Sequence, residues 1–312
     1  MRPRTGNSGL ERRTLRDFSM QAAERVTFRG DGVDLVADAA GPQGAPTILF
    51  LHGGGQTRQS WGTALQRAAV RGYRALALDQ RGHGDSDWSP DGDYSIERFA
   101  ADIHRVVEHI RPKPVLVGAS LGGLAGLMAI ATSPSATLRA TPRGLILVDV
   151  TPRIERDGSR EVTAFMDSAP EGFASVEEAA DAVAAYLPHR RRPRSTAGLR
   201  KNLRLRNGRY HWHWDPAFLR MGREAESRFD PQGPNIFAEA ARALTVPTLL
   251  IRGGNSRIVS EAGVREFLDM VPHAEAVEIP DAHHMVAGDA NDAFNDAVFG
   301  FVDRHFGLDV AG

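Results

Sequence analysis

Five short segments are apolar without alternation: Ile48-Leu49-Phe50-Leu51, Ala75-Leu76-Ala77-Leu78, Val115-Leu116-Val117, Leu145-Ile146-Leu147-Val148 and Thr248-Leu249-Leu250-Ile251. A strand with one wet face alternates apolar and polar residues. A strand without alternation has to be covered on both faces, as in a parallel sheet between two helical layers. Three further strands are expected at Arg25–Phe28, Val33–Ala37 and Ala276–Ile279. Helical stripes lie between them. Ile96, Phe99, Ile103, Val106, Val107 and Ile110 share one face at i, i+3, i+4 spacing, as do Val264, Phe267, Leu268 and Val271, and Phe294, Val298, Phe301 and Val302. The segment Leu121–Ala131 is apolar all round and predicts a buried helix. Strand and helix alternate, so the predicted class is α/β with a mostly parallel sheet flanked by helices.

The alternation breaks once, from Val150 to about Ala243, where no strong apolar strand occurs. This stretch reads as a helical cap inserted after the sixth long strand. The expected organisation is a flexible N-terminal extension over 1–20, a core from 21–150 and 244–312, and a cap over 151–243. The cap carries a basic run: Arg190, Arg191, Arg192, Arg194, Arg200, Lys201, Arg204, Arg206 and Arg209. Its reading is a solvated face. The chain's formal net charge is only −1, so no global field would hold a polyanion, and no nucleic-acid partner is expected. The chain has no cysteine, which excludes disulfides, Cys-based metal sites and a thiol nucleophile. No apolar run reaches the roughly 18 residues of a membrane span, and no membrane partner is expected. The N-terminus lacks the apolar core of a secretory signal, so the expected location is cytoplasmic.

Three motifs carry chemistry. Gly118-Ala119-Ser120-Leu121-Gly122 joins a strand to the apolar helix, the context of a nucleophile elbow. A tight turn there lifts the Ser120 hydroxyl above the sheet. Gly118 and Gly122 are small because a Cβ would strike the neighbouring helix or strand. His52-Gly53-Gly54-Gly55 follows the strand ending at Leu51. Its backbone N–H groups, from Gly54 or Gly55, would join that of Leu121 in an oxyanion hole. His52 itself reads as a brace for the loop. Pro280-Asp281-Ala282-His283-His284-Met285 follows the last strand, where a loop histidine could reach Ser120 and act as base and then acid.

From about Arg25 onward the chain resembles the α/β-hydrolase superfamily. The likeness rests on these three motifs and on Asp79-Gln80-Arg81-Gly82-His83-Gly84-Asp85-Ser86, which looks like the superfamily's D-x-R-G-x-G-x-S segment. The resemblance implies that Arg81 and Asp85 brace the rim of the site, and that His284 is the catalytic base, with His283 replacing a glycine. It also locates a departure. Relatives place an aspartate after the seventh long strand, in a segment like R-G-G-x-S-D-x-V, whereas this chain reads Arg252-Gly253-Gly254-Asn255-Ser256-Arg257-Ile258-Val259. A guanidinium cannot accept the imidazole N–H. Either the acid has moved or the triad is damaged; the best candidate for a moved acid is Asp149, at the end of the sixth long strand, where some haloalkane dehalogenases carry their acid. Glu261 and Asp281 are the other nearby carboxylates.

The expected activity is hydrolysis of a small-molecule carboxylic ester through an acyl-enzyme, without metal or other cofactor. The nucleophilic serine excludes epoxide hydrolase and haloalkane dehalogenase chemistry, which need an aspartate there. Carbon–carbon bond hydrolysis and perhydrolysis use the same serine site and stay open. Arg257 also leaves open a non-catalytic ligand-binding version of the fold. Trp212, Trp214 and Phe165 are candidate pocket residues, and His211 and His213 read as hydrogen-bonded side chains rather than metal ligands. The oligomeric state is not encoded in any motif.

Overall fold

The computed structural model describes residues 23–133, 141–190, 195–220, 235–289 and 291–307. The predicted extension, and Arg191, Arg192 and Arg194, lie outside them. All eight expected strands form one sheet: β1 (Glu24–Arg29), β2 (Asp34–Ala40), β3 (Thr47–Leu51), β4 (Arg74–Leu78), β5 (Val115–Ala119), β6 (Gly144–Val148), β9 (Thr248–Gly253) and β10 (Glu275–Ile279). The strands β7 (Leu203–Arg206) and β8 (Arg209–Trp212) stand apart as a hairpin. The sheet order is β1-β2-β4-β3-β5-β6-β9-β10. Strand β2 is antiparallel to both β1 and β4, and every other pairing is parallel.

The unbroken apolar runs are explained by the pleat. Leu49, Leu51, Leu116, Leu145, Leu147 and Leu250 point to one face, and Ile48, Phe50, Val115, Val117, Ile146 and Ile251 to the other. The first face is covered by α2 (Ile96–Glu108), α3 (Leu121–Ala131), α7 (Ile236–Arg242) and α8 (Glu261–Met270). The second is covered by α1 (Gly62–Val70) and α10 (Asn291–Phe306), the latter preceded by the short α9 (Val286–Asp289). Every helical stripe in the sequence faces the sheet it was expected to cover.

The segment between β6 and α7 differs from the expectation of an all-helical insertion. It contains α4 (Arg156–Met166), α5 (Val176–Tyr186) and the one-turn α6 (Ala197–Arg200), but also the β7–β8 hairpin. The hairpin was hidden because Leu203-Arg204-Leu205-Arg206 spends its alternate positions on arginines. Asn207 and Gly208 both adopt positive φ at its turn. Met166, Phe173, Val176, Leu203, Trp212 and Trp214 give this segment a small core of its own.

Among the described residues the basic run is mostly exposed, as expected, and three of its arginines also make internal contacts. Arg204 donates to the Gly84 carbonyl and Asp85, Arg209 donates to the carbonyls of Glu171 and Gly172, and Arg206 lies over the Trp88 ring at 4.4 Å. No described helix is long and apolar enough to cross a membrane.

Candidate active site

The C-terminal ends of the parallel strands carry the site. Ser120 follows β5 with φ 47° and ψ −116°, a strained conformation for a residue with a Cβ. Packing imposes it. A Cβ on Gly118 would strike the Gly122 carbonyl, and one on Gly122 would strike the Leu51 carbonyl, so helix and strands close to backbone contact at this turn. Ser120 N–H donates to the Val148 carbonyl at 3.2 Å, which ties the turn to the end of β6.

The next residue after β6 is Asp149, also at positive φ (49°) and fully buried. Aspartate tolerates this region better than most side chains. Its carboxylate turns along the strand ends. Oδ1 accepts from Gly253 N–H at 3.0 Å, and Oδ2 accepts from the Ser256 hydroxyl at 2.6 Å and from His284 Nδ1 at 2.8 Å. Ser256 Oγ itself accepts from the N–H groups of Ile258 and Val259, so its hydrogen is committed to Asp149. A carboxylate only accepts, so Nδ1 of His284 is the protonated nitrogen and Nε2 is left as the basic one. Among the described residues no hydrogen bond joins Ser120 Oγ to His284. Such contacts are often open without substrate and tighten in the reacting complex.

The His284 loop is fixed to the β9 end by Gly254 N–H on the Ile279 carbonyl and Asn255 N–H on the Ala282 carbonyl, at 2.8 and 2.9 Å. Neighbouring His283 stacks on His189, with centroids 3.8 Å apart, and does not contact Asp149 among the described hydrogen bonds. Glu261 and Asp281 are exposed. Arg257, the residue the family pattern would have as the acid, is largely exposed and pairs with Glu161 at 2.6 Å.

The glycine loop after β3 modifies one expectation. Gly55 N–H donates to His83 Nε2 at 3.1 Å, and Gly53 N–H to Gln56 Oε1 at 3.1 Å. Of the two glycines read as oxyanion donors, Gly55 therefore has its N–H engaged, and Gly54 is the one whose N–H has no acceptor among the described residues. The opposite donor, Leu121 N–H, opens α3 and has no intrahelical acceptor. His52 does brace the loop. Its Nδ1 donates to the Gly53 carbonyl at 2.8 Å and its Nε2 accepts Gln80 N–H at 3.0 Å. Burial lowers the His52 pKa to about 4 and the His83 pKa to about 3. Sequence reasoning passed over Ser256 and His83, whereas His213 is hydrogen-bonded as expected, to Gly84 N–H and the Gly55 carbonyl. His83 lay in plain view inside the Asp79–Ser86 segment.

Two further expectations change. Arg81 is not at the rim. It is buried, and its guanidinium donates to both carboxylate oxygens of Asp102 on α2, at 2.7 and 2.9 Å. Asp85 instead pairs with Arg25, Arg58 and Arg204. Trp212, Trp214 and Phe165 pack in the inserted segment's own core, where the two indoles stack at 5.0 Å and Phe165 stacks on Tyr186 at 4.1 Å, and of the three Trp214 also lies against Gly55 of the glycine loop. The cleft beside His284, about 240 Å³, is lined instead by residues including Val162, Tyr186, Leu187, Ile258 and Met285, with Arg257 and Glu161 contributing its charges.

A model of the alpha/beta hydrolase family matches residues 48–297. The chain belongs to that family. It is 31% identical to esterase Rv0045c of Mycobacterium tuberculosis over 83% of each chain. It is 30% identical to the mouse (Mus musculus) sn-1-specific diacylglycerol lipase ABHD11, over 82% of this chain and 81% of that one. A solved structure of the M. tuberculosis esterase superposes with a TM-score of 0.70 at 27% identity, covering 91% of this hydrolase and 93% of the esterase.

Proposed function

We propose that this hydrolase cleaves a carboxylic ester by a serine mechanism. Ser120 Oγ attacks the carbonyl carbon while His284 Nε2 takes its proton. The resulting oxyanion lies between the N–H groups of Leu121 and Gly54. Asp149 holds the imidazole in the Nδ1–H tautomer and balances the imidazolium. Collapse breaks the ester C–O bond, and His284 returns the proton to the departing alcohol. Water, deprotonated by the same imidazole, then attacks the acyl-enzyme, releasing the acid and restoring Ser120.

The observation that carries this reading is the 2.8 Å contact between Asp149 and His284 Nδ1 at the strand end beside Ser120. The esterase relatives, at about 30% identity over most of the chain, support the ester as the bond cleaved. In this reading residues 151–243 form a cap over a core of 21–150 and 244–312, and the mostly apolar cleft beside His284 takes the hydrocarbon part of the substrate.

The test is covalent labelling with a fluorophosphonate, alongside turnover of p-nitrophenyl esters of increasing chain length. Stoichiometric labelling that disappears in Ser120→Ala, together with loss of turnover, is the expected result. Turnover by Ser120→Ala within a fewfold of the parent overturns the proposal.

A further inference from the structure

Three buried histidines surround the glycine loop, and one of them comes from the inserted segment. His83, from the loop after β4, donates from Nδ1 to the Arg81 carbonyl at 2.9 Å and accepts Gly55 N–H at Nε2. His213, directly after β8, accepts Gly84 N–H at Nδ1 (2.8 Å) and donates from Nε2 to the Gly55 carbonyl at 3.3 Å. Gly55 is thus gripped on both its polar atoms, the N–H by His83 and the C=O by His213. The rings of the two histidines lie 5.9 Å apart, and both are almost fully buried. Gly55 also takes φ 73°, and Met166 and Trp214 of the inserted segment crowd the side where a Cβ would sit. A glycine run has little conformational preference of its own, so an external grip has to define where its amides point.

We infer that His83 and His213 are positioning residues for the oxyanion hole. They lock the Gly55 peptide, and through it the orientation of the preceding Gly54 N–H. His213 makes the inserted segment part of the catalytic geometry, beyond covering it. This inference rests on the serine-hydrolase reading above. Oxyanion donors act where charge develops, so their misplacement lowers kcat more than it raises KM.

The two ring nitrogens allow a clean test. Glutamine places its amide near Nε2, and asparagine near Nδ1. At either position Gln keeps the bond to Gly55, whereas Asn keeps the bond to the other partner and releases Gly55. The expected result is a kcat for His83→Gln and His213→Gln close to the parent, and a kcat at least about tenfold lower for the two Asn variants with KM within about twofold. That loss is smaller than the roughly 10²–10³ of deleting a donor outright. Equal kcat in the Gln and Asn variants, or a loss confined to KM, overturns the inference. Amide hydrogen exchange on the parent protein gives a reading independent of variant folding. Gly55 N–H should exchange slowly and Gly54 N–H fast, and fast exchange at Gly55 overturns the grip. Ser120→Ala separates the two levels. If it retains turnover, the serine reading fails. If it loses turnover while the Asn variants do not, only the histidine grip fails.

Discussion

Asp149 Oδ2 meets His284 Nδ1 at 2.8 Å across 135 positions of chain, from the end of β6 to the loop after β10. The contact depends on a backbone that most residues resist, because the positive φ of Asp149 turns its carboxylate toward β9 and the histidine loop. Asp149→Asn is expected to cut kcat severely, since the amide can stabilise the wrong imidazole tautomer. The equivalent change in a serine protease costs about 10⁴-fold. Arg257→Asp alone should not raise activity, because the side chain is largely exposed and pairs with Glu161. Steady-state kinetics of both variants check this, and a strong gain from Arg257→Asp would move the acid to that position.

Ser256→Ala removes one of three donors on the buried carboxylate. A hydrogen bond to a charged group is worth about 1.5–3 kcal/mol. The variant is expected to lose stability of that order and to lower kcat by far less than Asp149→Asn, because the His284 contact survives. Urea denaturation and turnover on the same samples check both parts.

Acid should unfold this protein through its buried histidines. His52 and His83 fall to about 4 and about 3 because burial penalises the charged ring, and His213 falls in the same direction for the same reason. In the unfolded chain all three titrate near 6.5. Between pH 6.5 and about 4 the unfolded state therefore binds more protons than the folded one. Their contribution is fully present above pH 6.5 and is lost as the pH falls below it. Denaturation midpoints at pH 7, 6 and 5 should fall steadily, and a flat profile over that range would contradict the neutral, buried state of these rings.

Arg81→Met should be the most damaging change outside the site. It leaves Asp102 buried without its partner, and breaking a buried pair costs about 3–5 kcal/mol. The side chains of Arg81 and Asp102 are only 2% and 4% exposed. The double change Arg81→Met with Asp102→Leu should recover part of the loss in equilibrium unfolding, because it removes the stranded charge as well.

The centre of the sheet was legible because burial on both faces leaves an unmistakable pattern, and five strands were visible in it, whereas β1 and β10, largely exposed, carry no such run. The elbow at Ser120 and the glycine loop were legible for a related reason, since backbone-to-backbone contact at Gly118 and Gly122 admits no other residue. The superfamily's histidine-loop pattern pointed to His284, and the end of the sixth long strand, where some haloalkane dehalogenases carry their acid, pointed to Asp149. The hairpin over 203–212 was not legible, because its arginines satisfy loop carbonyls and Asp85 rather than an apolar face. The burial of Arg81 was hidden for the opposite reason, as its partner Asp102 sits within an ordinary amphipathic stripe. The state of Gly55 depended on His213, which lies 158 positions away, and no local pattern reports such a contact.

The exposed placement of Arg257 has a consequence for specificity. The side chain at this position touches neither Asp149 nor His284, yet it lines the cleft that leads to the imidazole. In an enzyme with its acid at that position, any substitution there would be lethal to catalysis. With Asp149 as the proposed acid, the chemical step places no demand on this position. Saturation mutagenesis at 257 and 161 should therefore redistribute preference among esters while leaving the chemical step largely untouched. The same library in a relative with the usual acid would return mostly dead clones.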